Sequence, residues 1–375
     1  MNEVIIIGGG IIGLSIAFEL QSRGLKTCIV DSKGPATESS WAAAGMLAPQ
    51  IETTKYDASW VLGRNSRALY SSWIDRLRAH SDHDPHYQKC GALLYCESPE
   101  ERERIWDELE WQTEAGQNLC RLDQAELKER LPQVSSSYRA GLFFPNEAQV
   151  DPRQLCQTLI QACTQLGVIF KWGQAVTQIE THGGAVCSVK TNEEIIPCEC
   201  SVLAAGAWSN LIEGVRMIPE RIIPVRGQML ALELSSTEQL PLLTNQDIYI
   251  VPRENGRALI GSTMENVGFE RGTTEKGLQS LLDGVKKIWP ELAQAKVLET
   301  WSGFRPKSAD DLPLIGPSPI QGLHLAAGHF RNGILYAPLT AELIADLMTK
   351  RKTSIETEAF NCERAFENLD ARRSA

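Results

Sequence analysis

The order of apolar and polar positions at the start of the chain is the most informative stretch of the sequence. Val4 to Ile7 is a continuous β-branched run ending at glycines, Ile11 to Leu20 carries apolar residues at helical spacing, and Thr27 to Val30 is a second apolar run. Strand, helix and strand in that order read as a βαβ unit. Charge-rich helices are expected around Glu100 to Glu114 and Gln124 to Leu131, the second stopped by Pro132. Asp151-Pro152 reads as an N-cap followed by proline at the first helical position, leading a helix to about Leu166, with a strand at Val168 to Phe170.

Short strands joined by turn residues follow near Ile179, at Val186 to Lys190 and at Glu194 to Pro197, and Ser201 to Ala205 reads as a buried strand entering a Gly-Ala-Trp turn. Val225 to Leu232, Ile248 to Pro252 and Arg257 to Gly261 suggest an antiparallel sheet, the last two runs separated by Glu254-Asn255-Gly256. A helix is expected from Glu275 to Trp289, a strand at Leu323 to Ala326, and a final helix from Pro338 to Met348. No internal repeat or low-complexity linker separates these parts, so two domains are expected to interleave rather than follow one another.

Composition narrows the classes without naming a function. A chain of 375 residues with 43% hydrophobic and 22% charged residues suits a two-domain globular protein. The net charge of -10, with scattered basic residues, argues against binding nucleic acid. The opening MNEVIIIGGG lacks a basic leader, and no later stretch offers a membrane span, so the expectation is a cytoplasmic protein without a membrane partner. Ten cysteines are spread along the chain, and the C-x-C of Cys198 and Cys200 lacks a second pair at metal-site spacing. Reduced thiols and no metal are expected.

The strongest short motif is Gly8-Gly9-Gly10-Ile11-Ile12-Gly13, placed after a strand and opening a helix, with Asp31 at the end of the next strand. Gly8 permits the tight turn, Gly10 lets backbone approach a pyrophosphate, and Gly13 allows helix to pack closely on strand. Helix N-terminal amides meet the phosphate charge. Asp31 is expected to accept from adenosine ribose hydroxyls, which favours a free 2'-hydroxyl but does not separate FAD from NAD.

Four further segments separate them: Ser39-Ser40-Trp41-Ala42-Ala43-Ala44-Gly45-Met46-Leu47, Val202-Leu203-Ala204-Ala205-Gly206-Ala207-Trp208-Ser209, Gly303-Phe304-Arg305-Pro306 and Gly328-His329-Phe330-Arg331-Asn332-Gly333-Ile334. With the glycine motif they resemble the D-amino-acid oxidase family of flavoproteins, and within it the glycine-oxidising members tied to making the thiazole of thiamine. The resemblance runs from about Asn2 to Met348. It implies a Rossmann-like, α/β FAD-binding domain of the glutathione-reductase type, interleaved with an α+β substrate domain carrying an antiparallel sheet. The expected division is 1–85, 150–215 and 303–375 for FAD, and 86–149 and 216–302 for substrate.

The same resemblance implies noncovalent FAD. Gly8, Gly10, Ile11, Ile12, Gly13, Asp31 and Ser32 would serve its dinucleotide portion and Val176 its adenine end, while Ser39, Ser40, Ala44, Gly45 and Met46 would lie beside the flavin. Ala205, Gly206 and Trp208 would add contacts. His329, Phe330, Arg331, Asn332, Gly333, Ile334 and Leu335 would run beneath the ring, with the last helix aiming its N-terminus at the pyrimidine side and stabilising reduced flavin.

An amino-acid substrate brings a carboxylate that calls for a cationic fork, and Arg305 matches the family arginine that supplies it. Tyr249 matches a tyrosine that reaches the substrate, Met264 a pocket-lining methionine, and Arg331 a position of the glycine-oxidising members. Asp247 stands where the family often has histidine. The implied reaction is hydride transfer from substrate Cα to the flavin, giving an imine, then glyoxylate and ammonia, with O2 reduced to H2O2. Implied partners are a thiazole synthase that takes up the imine and further copies of the chain in a homotetramer. The competing readings are a sarcosine-type oxidase, disfavoured because no cysteine lies between Cys200 and Cys362, a D-amino-acid dehydrogenase with another electron acceptor, and a non-catalytic nucleotide-binding regulator.

Overall fold

The structure is a computed structural model that describes residues 4–215, 217, 221–235 and 238–366. Residue 216, at which one expected domain boundary falls, and the end of the chain beyond 366 lie outside them.

The βαβ reading is realised as Val4–Ile7, Ile11–Ser22 and Thr27–Asp31. These belong to a six-stranded sheet in the order Leu314–Pro317, Leu323–Ala327, Ser201–Leu203, Val4–Ile7, Thr27–Asp31, Ile169–Trp172. All neighbours are parallel except the first pair, a hairpin. Both faces are covered, which is why the strands read as unbroken apolar runs. Val4 and Ile6 face a core shared with the helices Ile11–Ser22, Pro152–Leu166 and Gly333–Met348, whereas Ile5 and Ile7 face a core shared with Val186, Val189 and Leu203. The second core lies under a three-stranded antiparallel sheet of Val176–His182, Ala185–Thr191 and Ile195–Pro197.

The second large sheet has eight strands in the order Val297–Ser308, Ile222–Glu233, Arg257–Gly261, Tyr249–Arg253, Leu242–Thr244, Ala92–Cys96, Ala140–Phe144, Cys120–Asp123. It is antiparallel apart from the parallel pairing of Leu242–Thr244 with Ala92–Cys96. The charge-rich helices fall at Pro99–Leu109, Trp111–Glu114 and Gln124–Arg130 and connect strands of this sheet. Asp123 and Glu126 close the last of them with a reciprocal capping box. Asp151 caps Pro152–Leu166 by accepting from the N–H groups of Arg153 and Gln154, and Gly167 ends that helix in the left-handed region at φ 86°.

The helix expected around Glu100 to Glu114 is broken in two at Glu110, and the last helix begins earlier than its sequence expectation. The last helix starts at Gly333, so Pro338 lies inside it. Proline lacks the N–H that would bond the carbonyl four residues back, that of Ile334. Tyr70 donates its hydroxyl proton to that carbonyl, and Ser66 donates to the carbonyl of Leu335. Both donors come from the long helix Ala58–Arg78, capped by Asp57 accepting from the N–H of Trp60. Tertiary contact thus satisfies the acceptor that the proline orphans, and local sequence shows no sign of it. Among the described residues no helix is long and apolar enough to cross a membrane.

Candidate active site

A cavity of about 680 Å³ lies where the C-terminal ends of the parallel strands meet the larger sheet. Gly8, at φ 112°, turns the chain out of the first strand, and a Cβ there would stand 2.4 Å from the carbonyl oxygen of Ala204. A Cβ on Gly13 would stand 1.9 Å from the Gly8 carbonyl oxygen, so helix and turn meet at a distance only glycine permits. The Gly9 N–H donates to Asp31 Oδ2 at 2.8 Å and the Lys33 N–H to Oδ1 at 2.9 Å. The carboxylate is thereby fixed at the cavity wall with lone pairs to spare. Ser40 Oγ accepts from the N–H of Ile11 at 2.9 Å, joining the Ser/Ala-rich segment to the start of the first helix.

On another wall, the N–H of Phe330 donates to the carbonyl of Pro306 at 2.9 Å. Buried His329 meets Thr340 Oγ1 through Nε2 at 3.1 Å, and burial pulls its imidazole down to about 3, so it is neutral at ordinary pH. The helix Gly333–Met348 has no side-chain cap from Asn332, and Asn332, Gly333 and Ile334 line the cavity. Its unbonded first-turn amides suit an anionic ligand portion.

Arg305 reaches the cavity from the strand Val297–Ser308, in register with Val225 on Ile222–Glu233. Its guanidinium donates to the Thr263 carbonyl at 3.0 Å and to the Ser262 hydroxyl, and no carboxylate pairs with it among the described residues. It is thus held by neutral acceptors with its charge unspent. Tyr249 donates its hydroxyl proton to Met229 Sδ at 3.2 Å. Met264 also lines the cavity and is 59% exposed. Arg331 lines it too, but its guanidinium pairs with Glu52 at 2.6 Å. Asp247 is at the wall and pairs with Lys287 at 3.3 Å.

Of the residues named from sequence for cofactor or substrate, all line the cavity except Gly13 and Leu335. Gly13 acts through packing. Leu335 is buried in the core beside Tyr70, one residue too deep in the helix to face the cavity. Sequence reasoning missed Glu38 and Arg271, which both line the cavity and form a two-pronged ion pair at 2.7 and 3.1 Å. It also missed Glu52. Arg271 sits in an irregular stretch 233 residues from Glu38, so no local pattern could have joined them. Among the described residues no His/Cys/Asp/Glu group could hold a metal ion.

A glycine turn closed to any Cβ, a fixed carboxylate at the end of the second strand and two helix N-termini at one cavity together fit a dinucleotide cofactor such as FAD. The chain belongs to the family of FAD-dependent oxidoreductases known as DAO, whose model matches residues 3–347. It is 37% identical over 368 residues, 97% of its length, to the bifunctional protein ThiO/ThiG of a Nostoc species, 55% of which it covers. It therefore spans about half the length of the bifunctional relatives it matches. It is 31% identical over 370 residues to glycine oxidase from Bacillus licheniformis, covering 96% of this chain and 97% of that one. The crystal structure of glycine oxidase from Geobacillus kaustophilus superposes with a TM-score of 0.92 at 29% identity, over 97% of this chain and 99% of that one.

Proposed function

We propose that this chain oxidises glycine and similarly small amines or short D-amino acids with noncovalent FAD. The observation that carries the reading is Arg305, a cation held by neutral acceptors and without a carboxylate partner, in the same cavity as the dinucleotide fingerprint. Bound FAD supplies the two-electron acceptor. Arg305 takes the substrate carboxylate, Tyr249 and Met264 bound the space around the reacting carbon, and Arg331, paired with Glu52, guards the approach. None of these side chains acts as a strong base, so binding and orientation are the chain's main contribution to rate. The imine formed from glycine adds water to give glyoxylate and ammonia, and O2 leaves as H2O2. No cysteine lines the cavity, which supports noncovalent rather than cysteine-linked flavin.

The division into an FAD domain of 1–85, 150–215 and 303–375 and a substrate domain of 86–149 and 216–302 is part of the proposal, the strand Val297–Ser308 crossing between them. So are service to thiamine thiazole synthesis, suggested by relatives that carry both names in one chain, a cytoplasmic location and a homotetramer. The test is an anaerobic absorbance titration of the purified yellow protein with glycine, followed by air. Bleaching, then recovery with one peroxide per glycine, is the expected result. Bleaching without recovery in air would replace the oxidase with a dehydrogenase, and no response to glycine would remove it as substrate.

A further inference from the structure

Arg253 ends the strand Tyr249–Arg253 and shares a face with Tyr249, since alternate strand residues point the same way. It is 6% exposed. Its Nη2 donates to the carbonyls of Ala44, at 2.6 Å, and Val150, at 2.8 Å. Its Nε and Nη1 are buried without a hydrogen-bond partner. No carboxylate among the described residues forms an ion pair with it. The acid that bears on it electrostatically is Asp151, whose Oδ1 is engaged in capping Pro152–Leu166.

A guanidinium in this state is costly, because water has been removed and no opposite charge replaces it. Holding two carbonyls does not require a charge, since a neutral donor forms the same bonds. The charge has another outlet. Ala44, whose carbonyl Arg253 holds, lines the cofactor cavity together with Gly45 and Met46. Gly45 is locked at φ 79°, with a Cβ excluded by the Val150 carbonyl oxygen at 2.0 Å. The cation therefore stands directly behind a thin, rigid wall of the site, in surroundings where screening is weak.

We propose that Arg253 is a positioning residue of the cofactor site, which fixes the Ala44–Met46 wall through two carbonyls and, as a buried cation without a carboxylate, favours two-electron-reduced, negatively charged FAD over the oxidised form. Burial pulls its guanidinium down to about 10, which leaves it charged at neutral pH. The inference rests on FAD binding and not on the choice of glycine as substrate.

The experiment is the midpoint potential of bound FAD, measured without substrate, in the parent protein and in Arg253→Lys, Arg253→Met, Cys90→Asp and Cys90→Ser. Cys90 is close enough to interact electrostatically with Arg253, so an aspartate there neutralises the charge while leaving both carbonyl bonds in place. Arg253→Met and Cys90→Asp should shift the equilibrium toward oxidised FAD by about tenfold, or about 30 mV for a two-electron couple. Arg253→Lys and Cys90→Ser should stay within about twofold. FAD affinity, followed by the recovery of flavin fluorescence on release, separates loss of the wall from loss of the charge. If Arg253→Met does not retain FAD, Cys90→Asp decides, and an unchanged potential there overturns the proposal. Failure of glycine to bleach the flavin would leave this result standing, and the reverse also holds.

Discussion

A methyl group placed on Gly227 would stand 2.3 Å from both terminal nitrogens of Arg305. The guanidinium lies flat across the neighbouring strand in a space that exists because residue 227 has no side chain. Gly227→Ala would therefore move the movable partner, the far end of Arg305, and leave the strands in place. The expected result is a KM for glycine raised about tenfold or more, with an unfolding free energy changed by less than about 1 kcal/mol. A large loss of stability with an unchanged KM would mean that the backbone yields instead.

The two cavity arginines should behave differently. Arg305 is spoken for by neutral acceptors alone, whereas Arg331 already pairs with Glu52. Arg305→Lys keeps the charge but loses the planar fork, and kcat/KM for glycine should fall about a hundredfold with FAD content unchanged. Arg331→Ala should cost about tenfold or less. Steady-state kinetics on the two variants test the assignment, and a larger effect at Arg331 would reverse their roles.

Tyr70→Phe removes the donor that answers the carbonyl orphaned by Pro338. A buried, unpaired carbonyl costs about 1 to 3 kcal/mol. Urea unfolding should register that loss. FAD affinity should fall as well, because Ile334 lines the cavity at the first turn of the same helix.

His329 gives a dependence on pH with a defined sign. Burial holds the folded histidine at about 3, below its usual value near 6.5, so below that usual value only the unfolded chain takes up the proton. The stability is therefore complete above about pH 6.5 and declines as pH falls toward 3. His329→Asn should lose less stability than the parent between pH 7 and 5, by about 2 kcal/mol. His324, lowered by burial to about 4, acts in the same direction, and Glu147, raised by burial to about 7, acts in the opposite one. Both are present in each protein and cancel in the comparison. Urea midpoints at the two pH values provide the measurement.

The stretch from Val4 to Asp31 carried its own fold and most of its chemistry. A four-residue apolar strand, a glycine turn, a helix and a strand ending at Asp31 follow one another within a short stretch, where Gly13 answers the Gly8 carbonyl of the same turn and Gly8 the Ala204 carbonyl that follows the adjacent strand. The same holds for capped helices such as Pro152–Leu166, whose start and stop are written as Asp151, Pro152 and Gly167. The resemblance to a known family extended that legibility to the cavity wall, because ordered motifs mark positions even where their spacing gives no geometry. What the tertiary structure decided are relationships between distant residues: Tyr70 with Ile334, Glu38 with Arg271, Arg331 with Glu52, and Arg253 with Ala44. The helix containing Pro338 shows why. Local sequence could weigh only the hydrogen bond that proline removes, while its replacement came from a helix more than 250 residues earlier in the chain.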